Sequence, residues 1–253
     1  MTFDPALELA ENANTYVPLT RGTERVVTDR YVIWFGRGNA PAWTVAQRFR
    51  FDVEELDEVM DEIHGHVRER GRSACSWEVG SSARPPKLVE LLHERGLVDD
   101  PDDPLQIGMA LTGEPAGPAP EGIEVRRVAS DDDELVAAQF AAVAFGDTDV
   151  KAKPFDPDSP SVTYLAFIDG EPVGRATGAF SEYGVTLFGG ATLPEWRGRG
   201  VYKALVHARL RDAAERGSPV AVTQAGSMSR PILEKLGFRE VCRIWALIDE
   251  LDR

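Results

Sequence analysis

Apolar residues recur along the chain at helical spacing in some segments and alternate with polar residues in others. The apolar positions from Leu56 to Val67 fall on one face of a helix predicted over residues 53–69. Other helices are predicted over residues 5–16, 85–94, 200–216 and 230–236. A further predicted helix follows the capping residues Asp131 to Asp133 and ends at Phe145. Strands are predicted over residues 25–35, 42–51, 73–79, 105–111, 123–128, 162–169, 172–181, 185–193, 219–224 and 238–248. This mixture predicts an α/β fold, with a three-strand meander around the turns at Asp169-Gly170 and Tyr183-Gly184.

The chain divides into two halves at a segment rich in proline and glycine. Residues 111–122 hold three of each, with almost no apolar periodicity, and they predict a linker. The halves share a local pattern, because Gly-Ser-Ser-Ala-Arg-Pro at 80–85 resembles Gly-Ser-Met-Ser-Arg-Pro at 226–231. The order of strands and helices before both matches favours duplication over chance. We therefore predict domains at residues 1–112 and 123–253, joined by a linker at 113–122.

Composition narrows the possible functions. The net charge of −14 opposes binding to nucleic acid and to anionic lipid surfaces, whereas a cationic substrate such as an amine is electrostatically favoured. The two cysteines, Cys75 and Cys242, are predicted to be core residues and not parts of a disulfide framework or a metal site. No apolar run approaches the roughly 18 residues of a membrane span, and the first residues lack a signal-peptide pattern. A cytoplasmic protein without a membrane role is expected, and its oligomeric state stays open.

One glycine-containing junction between a strand and a helix carries the candidate chemistry. Gly198 stands just before the helix predicted to begin at Gly200, and two arginines, Arg197 and Arg199, flank Gly198. Glycines allow successive N–H groups to converge on a phosphate at the positive end of the helix dipole, where arginines add charge-assisted hydrogen bonds. For a lone Arg-Gly-Arg-Gly segment, an ordinary turn with exposed arginines is an equally good interpretation.

This junction resembles the pyrophosphate-binding motif of the GNAT acyltransferase superfamily, which reads Gln or Arg, two residues, Gly, one residue, then Gly or Ala. Arg197 and Gly200 match it, whereas Tyr202 occupies the last small position. The resemblance covers most of residues 123–252 and implies a tandem protein with two GNAT-like domains, each a mostly antiparallel sheet flanked by helices. It also implies that acetyl-CoA is the cosubstrate, with no metal. The residues that would bind the coenzyme are Thr192, Leu193, Arg197, Gly198, Arg199, Gly200, Val201, Tyr202 and Ser229.

In this superfamily the fourth and fifth strands splay apart and hold the pantetheine arm, so the resemblance assigns main-chain contacts to Thr192 and Leu193. The paired glycines Gly189 and Gly190 fit a bulge or a close backbone approach on the fourth strand, or a simple kink. Ser229 precedes a short helix, where a helix-capping role explains it equally well. The loop at residues 146–161 is long enough to line a substrate site.

The catalytic residues do not transfer from the family. Its frequent tyrosine acid falls on Leu233, and its frequent glutamate is missing because residues 185–192 contain no carboxylate. Glu182, Tyr183, Tyr202 and Ser229 remain weak candidates, for which surface, packing or capping roles compete.

In the first half, residues 47–52 precede the long helix without a glycine loop. That half is therefore interpreted as a degenerate copy that supports the active half or shapes the acceptor pocket.

The function expected is transfer of an acyl group from acetyl-CoA to the amino group of a small molecule, by direct attack of the amine on the thioester. An alternative is an acyl-CoA binding or sensing module without turnover, which the two missing catalytic residues favour. A third possibility is a tandem enzyme that acylates a thiol-precursor amino sugar, as mycothiol synthases of this superfamily do.

Overall fold

The computed structural model describes residues 3–145 and 152–251. Its helices are α1 Pro5–Glu11, α2 Ala13–Tyr16, α3 Leu56–Glu69, α4 Leu88–Glu94, α5 Asp131–Phe145, α6 Val201–Glu215 and α7 Arg230–Lys235. Its strands are β1 Glu24–Val27, β2 Val32–Phe35, β3 Thr44–Gln47, β4 Ala74–Gly80, β5 Val98–Asp99, β6 Leu105–Leu111, β7 Glu124–Arg127, β8 Ser161–Ile168, β9 Glu171–Ser181, β10 Gly184–Thr192, β11 Ala221–Ala225 and β12 Arg239–Glu250. The predicted α/β class, with a mostly antiparallel sheet flanked by helices, is confirmed.

Contacts divide the chain into two compact units. The first comprises residues 1–109, 224–230 and 240–253, and the second comprises residues 110–223 and 231–239. This division differs from the predicted domains, which kept all of residues 123–253 together. The difference arises chiefly from the last strand, which carries apolar residues that the first unit buries.

The first unit has the strand order β1-β2-β3-β4-β12-β6, with β5 also paired to β12. Strand β12 lies antiparallel to β4, with Ile244 opposite Gly80 and Glu250 opposite Ala74. Its Leu247 is fully buried in the same core as Trp77 of β4. The last strand, which was predicted to close the second half, thus pairs with a strand of the first unit, and its Leu247 is part of that unit's core.

Two other predicted elements of the first unit are divided in the structure. The strand predicted over residues 25–35 is a hairpin of β1 and β2, whose turn is closed by the Thr28 N–H donating to the Tyr31 carbonyl at 3.0 Å. The helix predicted over residues 5–16 breaks at Asn12 into α1 and α2. Neither break contains the glycine or proline that marks most turns, so neither was predicted.

The second unit has the strand order β11-β10-β9-β8-β7, and it includes the predicted three-strand meander, β8 to β10. Helix α6 packs against β8, β9 and β10, whereas α5 packs against β9 and β10. Asp212 anchors α6, because its buried carboxylate accepts hydrogen bonds from Arg127 on β7 and from the Tyr164 hydroxyl on β8. These contacts tie the C-terminal part of α6 to β7 and β8.

Helix α5 begins at Asp131, so the three aspartates lie in its first turn rather than before it. Ser130 acts as the cap, since its hydroxyl oxygen accepts a hydrogen bond from the Asp133 N–H at 3.2 Å. The loop predicted to line a substrate site begins at residue 146, and its residues 146–151 lie outside the described residues.

Candidate active site

The predicted phosphate loop lies between the end of β10 at Thr192 and the start of α6 at Val201. Gly200 is the N-cap of α6, with φ +89 in the left-handed region, and no side chain caps this helix. Gly198 also has a positive φ, +77. The first turn of α6 contains no acidic residue, so nothing there competes with an anion for the helix N-terminus.

The two arginines of the loop are exposed and each has an anchor. Arg197 donates from Nε to the Thr192 carbonyl at 3.4 Å, which ties the loop back to β10. The Arg199 guanidinium lies 4.6 Å from the centre of the Trp196 ring, a cation–π distance. This role of Trp196 was not predicted, because the contact depends on the conformation of the loop. Both positive charges are available to a phosphate group.

Strands β10 and β11 pair over only a short stretch. Their parallel register joins Val185 to Ala221 and Thr186 to Val222, whereas β10 continues to Thr192. The Thr223 hydroxyl donates to the Leu187 carbonyl at 2.8 Å just beyond that stretch. Within the described part of the chain, the main-chain ladder to β11 therefore ends early and leaves an edge of β10 leading toward the loop. This is the arrangement that the resemblance implied for the fourth and fifth strands.

The paired glycines form a bulge. The register between β9 and β10 shifts between Phe188 and Ala191, and Gly189 has φ +57. Gly190 permits a close approach, since a Cβ at this position would lie 2.8 Å from Cε2 of Tyr202. Tyr202 thus packs its ring against the bulge from the first turn of α6. Of the features predicted for this strand, the bulge and the close approach are both present.

Tyr202 also contacts a buried cation. Its hydroxyl interacts with the Arg209 guanidinium, whose pKa is lowered by burial and raised in part by nearby phenols. Arg209 is 1% exposed and donates to the carbonyls of Leu205 and Thr177. The position that the motif reserves for a small residue therefore holds a tyrosine with a structural contact of its own.

Other predicted site residues lie away from the loop or make local contacts. Glu182 and Tyr183 precede β10, and a nine-residue strand at about 3.3 Å per residue places them about 30 Å from Leu193. The Glu182 carboxylate raises the pKa of Tyr183 by its charge and a hydrogen bond. Ser229 donates its hydroxyl to the Gly226 carbonyl at 3.4 Å. Leu233 is fully buried and has no proton to donate.

The first unit contains a related pair of strands that is filled rather than open. Strands β3 and β4 are parallel and pair at only two positions, Val45 with Ser76 and Ala46 with Trp77. Beyond them, the Phe49 ring stacks on Trp77 with centroids 5.0 Å apart, and both side chains are fully buried. The Phe49 carbonyl then accepts a hydrogen bond from the Arg84 N–H at 3.1 Å. The chain's own groups therefore occupy the space beyond these two pairs.

The helix that follows β3 begins with acidic residues. The Glu55 carboxylate accepts a hydrogen bond from the Asp52 N–H at 2.8 Å, and this bond lowers the pKa of Glu55. Glu54 lies in the same first turn, and Asp57 and Glu58 follow in the first turn of α3. Negative charge at this helix start is unfavourable for a phosphate group, in contrast with the start of α6.

Two further properties concern metals and membranes. His64 contacts Asp249 at 2.7 Å and His66 lies 3.7 Å from Glu69, and the residues described contain no group of three His, Cys, Asp or Glu side chains arranged for a metal ion. Helices of the length and apolarity that would cross a membrane are absent from the same residues.

Comparisons with known proteins agree with this geometry. Residues 128–238 match the family described as "Acetyltransferase (GNAT) family". No curated protein matches the sequence significantly. The matched segment includes α5, the meander and the predicted phosphate loop, and ends before β12.

Solved structures share the fold over nearly the whole chain. A GCN5-related N-acetyltransferase from Kribbella flavida is 22% identical, with a TM-score of 0.71 over 97% of this chain and 93% of that one. One from Sphaerobacter thermophilus is 17% identical, with a TM-score of 0.60 over 89% and 82%. A tandem GNAT protein from the clavulanic acid biosynthesis pathway is 14% identical, with a TM-score of 0.57 over 98% and 94%. Residues 128–238 therefore match the GNAT acetyltransferase family, and the fold of the solved GNAT structures extends over nearly the whole chain.

Proposed function

We propose that the C-terminal half transfers the acetyl group of acetyl-CoA to the amino group of a small molecule by direct attack. The early end of the β10–β11 ladder, followed by a helix N-terminus without a cap or an acidic residue, is the observation that supports this proposal most strongly. An open strand edge suits the amide groups of a pantetheine arm, and the N-terminus of α6 suits a pyrophosphate. The residues present thus fit the cosubstrate that the family generally uses.

In this proposal Thr192 and Leu193 contact the pantetheine arm through their main chain. The segment from Arg197 to Tyr202 binds the pyrophosphate through N–H groups and the two guanidinium groups. Thr192 has a buried hydroxyl without a hydrogen-bond partner among the described residues, so a polar group of the bound cosubstrate would satisfy it. Contact between Ser229 and the coenzyme stays a prediction.

The reaction needs few side chains. The acceptor nitrogen forms a bond to the thioester carbon, the carbon–sulfur bond breaks, the amine proton passes to a base or water, and the leaving thiolate gains a proton. Main-chain N–H groups near the end of β10 would stabilise the negative charge that develops on the carbonyl oxygen. Leu233 excludes the usual tyrosine at its position, so water or another group must supply the thiolate's proton.

The N-terminal half is proposed to be a degenerate GNAT-like copy that binds no coenzyme. Its two-position parallel pairing resembles that of β10 and β11. The Phe49–Trp77 stack and the acidic helix start remove both features that the proposed coenzyme site uses. One acetyl-CoA site per chain follows from this proposal.

A second candidate function is an acyl-CoA binding or sensing module without turnover. The buried Leu233 and the absence of a carboxylate from β10 favour it. Calorimetric titration with acetyl-CoA, combined with thiol release across a panel of amines, separates the two functions. Saturable binding with turnover supports the transferase, binding without turnover of any amine supports the module, and no binding contradicts both.

A further inference from the structure

A group of buried and half-buried charged side chains lies beside the bulge, on the side of the sheet that α5 covers. It consists of Arg175 on β9, Glu134 on α5 and Lys153, and we call it the bulge cluster. Glu134 is 7% exposed, its carboxylate lies 3.2 Å from Nζ of Lys153, and its charge also acts on the Arg175 guanidinium. None of the three was predicted as a site residue, because isolated charges in a strand, a helix and a loop carry no recognisable spacing.

Arg175 lies directly at the bulge. It stands opposite Ala191 in the β9–β10 ladder, on the far side of the bulge from the pair Phe188–Thr177. Its Nη1 lies 3.4 Å from where a Cβ of Gly189 would be, so the guanidinium covers the backbone of the bulge. Its Nε is buried without a hydrogen-bond partner among the described residues, although the residue as a whole is partly exposed. An acceptor atom of a ligand would satisfy this donor.

Among the described residues, the charges of the bulge cluster do not balance. Arg175 and Lys153 contribute two positive charges and Glu134 one negative charge, in a protein whose net charge is −14. Burial lowers the pKa of Arg175, which reflects a charge removed from water with too little compensation. An anion placed here would supply the missing partner, and a carboxylate matches the planar guanidinium by accepting two hydrogen bonds.

The surroundings leave room for the rest of a small molecule. The Phe188 side chain, on the same face of the sheet, is 45% exposed. An apolar cavity of about 210 Å³ lies nearby between α5 and the ends of the strands, and it is lined by Val136, Gln139, Phe140, Val143, Pro172 and Leu193. A ligand held at the bulge cluster would therefore have apolar surface beside it.

We propose that Arg175, supported by Lys153, binds a carboxylate of the substrate pair and so places the reacting groups at the bulge. The inference rests on the proposed transferase function and specifies its substrate class. The carboxylate belongs either to the acceptor, which would then be an amino acid or a related amine, or to the far end of the acyl group, as in succinyl-CoA. Arg175 is a specificity-determining residue in either case.

The test compares matched substrates that differ only in the carboxylate. In the first arm, glycine, β-alanine and γ-aminobutyrate are compared with their carboxamides, using acetyl-CoA and a thiol-release assay. In the second arm, succinyl-CoA is compared with acetyl-CoA on one neutral amine. The ratio of kcat/KM for acid and uncharged partner is the readout, because a loss of folded protein lowers both values equally. The less basic amine of a carboxamide favours the carboxamide chemically, so a preference for the acid requires recognition.

We expect the native protein to prefer the carboxylate by about tenfold or more in one arm, as a charge-assisted arginine contact provides. Arg175→Gln is expected to abolish the preference, whereas Arg175→Lys, which keeps the charge, retains part of it. Arg126→Gln is the matched control, since Arg126 is an arginine of the same unit that lies 4.2 Å from the Phe167 ring centre, and it should leave the ratio unchanged.

A ratio near one in both arms for the native protein, or a preference that survives in Arg175→Gln, overturns the proposal. If no amine is turned over, calorimetric binding of the same acids and carboxamides in the presence of free coenzyme A gives the ratio instead, and the same outcomes decide. Failure of the proposed function appears separately, as absence of acetyl-CoA binding or of turnover with every amine.

Discussion

Replacing Gly200 by valine tests the phosphate loop directly. Gly200 has φ +89, which a β-branched residue strongly disfavours, and a Cβ there would lie 3.0 Å from Cγ and 3.1 Å from Cβ of Pro120. A left-handed conformation costs an ordinary residue roughly 1–2 kcal/mol, and the contact with Pro120 adds to that cost. The loop must therefore change conformation, which separates the N–H groups that the proposal assigns to the pyrophosphate.

The strain affects stability and coenzyme affinity in proportions that depend on how far the free loop relaxes. If the free loop relaxes, acetyl-CoA must restore the binding conformation, and the strain energy is then lost from the binding free energy. The Kd for acetyl-CoA rises by about tenfold for each 1.4 kcal/mol lost in this way. We expect a rise of at least about tenfold in Gly200→Val, measured by calorimetry. The free energy of unfolding, measured with urea, should fall by about 1–2 kcal/mol or less.

Gly217→Val provides the matched control at the other end of α6. Gly217 has φ +69, and a Cβ there would meet nothing within 4 Å. It lies 17 positions from Gly200, about 25 Å along a helix. We expect Gly217→Val to lose stability but to keep the native Kd for acetyl-CoA. Equal Kd values for both variants and the native protein would refute the assignment of this loop to the coenzyme.

Three further predictions concern packing, pH and thiol reactivity. Gly190→Ala should lower the free energy of unfolding, measured with urea, by about 1–3 kcal/mol, because the added Cβ would lie 2.8 Å from the Tyr202 ring. A second substitution in the same chain, Tyr202→Leu, should restore part of this loss. An unchanged free energy of unfolding in Gly190→Ala would contradict the close contact. Burial raises the pKa of Glu78 from 4.5 to about 7, so the folded state binds this proton more tightly than the unfolded chain does. The free energy of unfolding should therefore fall as the pH rises from about 4.5 to 7, by roughly 3 kcal/mol at most. Glu78→Gln should remove that part of the slope, and an unchanged pH dependence would count against it. Burial also raises the pKa of the Cys75 thiol, and it raises the pKa of the Cys242 thiol to about 12. Both thiols should therefore react with a thiol reagent only when the protein unfolds. Rapid labelling of the native protein would contradict this prediction.

Most secondary structure is predictable from the sequence because glycine-containing turns punctuate the apolar pattern. The meander around Asp169-Gly170 and the amphipathic α3 agree with the predicted ranges within a few residues. The pairing of β12 is different in kind. Its alternating residues predict a strand, but no local signal specifies that β4, more than 150 residues earlier in the chain, is its neighbour.

The conformation of the loop before α6 is predictable for a similar reason, because positive φ angles favour glycine and glycine spacing is visible in the sequence. The bulge cluster is not visible, since Arg175, Glu134 and Lys153 come together only when α5 packs on β9. The anchoring of Arg199 by Trp196 depends equally on the geometry of the loop. Roles that arise from tertiary contact between isolated charges are those that sequence reasoning misses.

Amide hydrogen exchange with and without acetyl-CoA tests the central claim most directly, because it reports on both halves of the chain in one measurement. Bound acetyl-CoA should slow exchange across residues 187–206, which contain the open edge of β10 and the start of α6. Residues 44–60, the corresponding strand and helix start of the first unit, should exchange at the same rate in both states. Protection of residues 44–60, or no protection of residues 187–206 at saturating acetyl-CoA, would contradict a single coenzyme site in the C-terminal half.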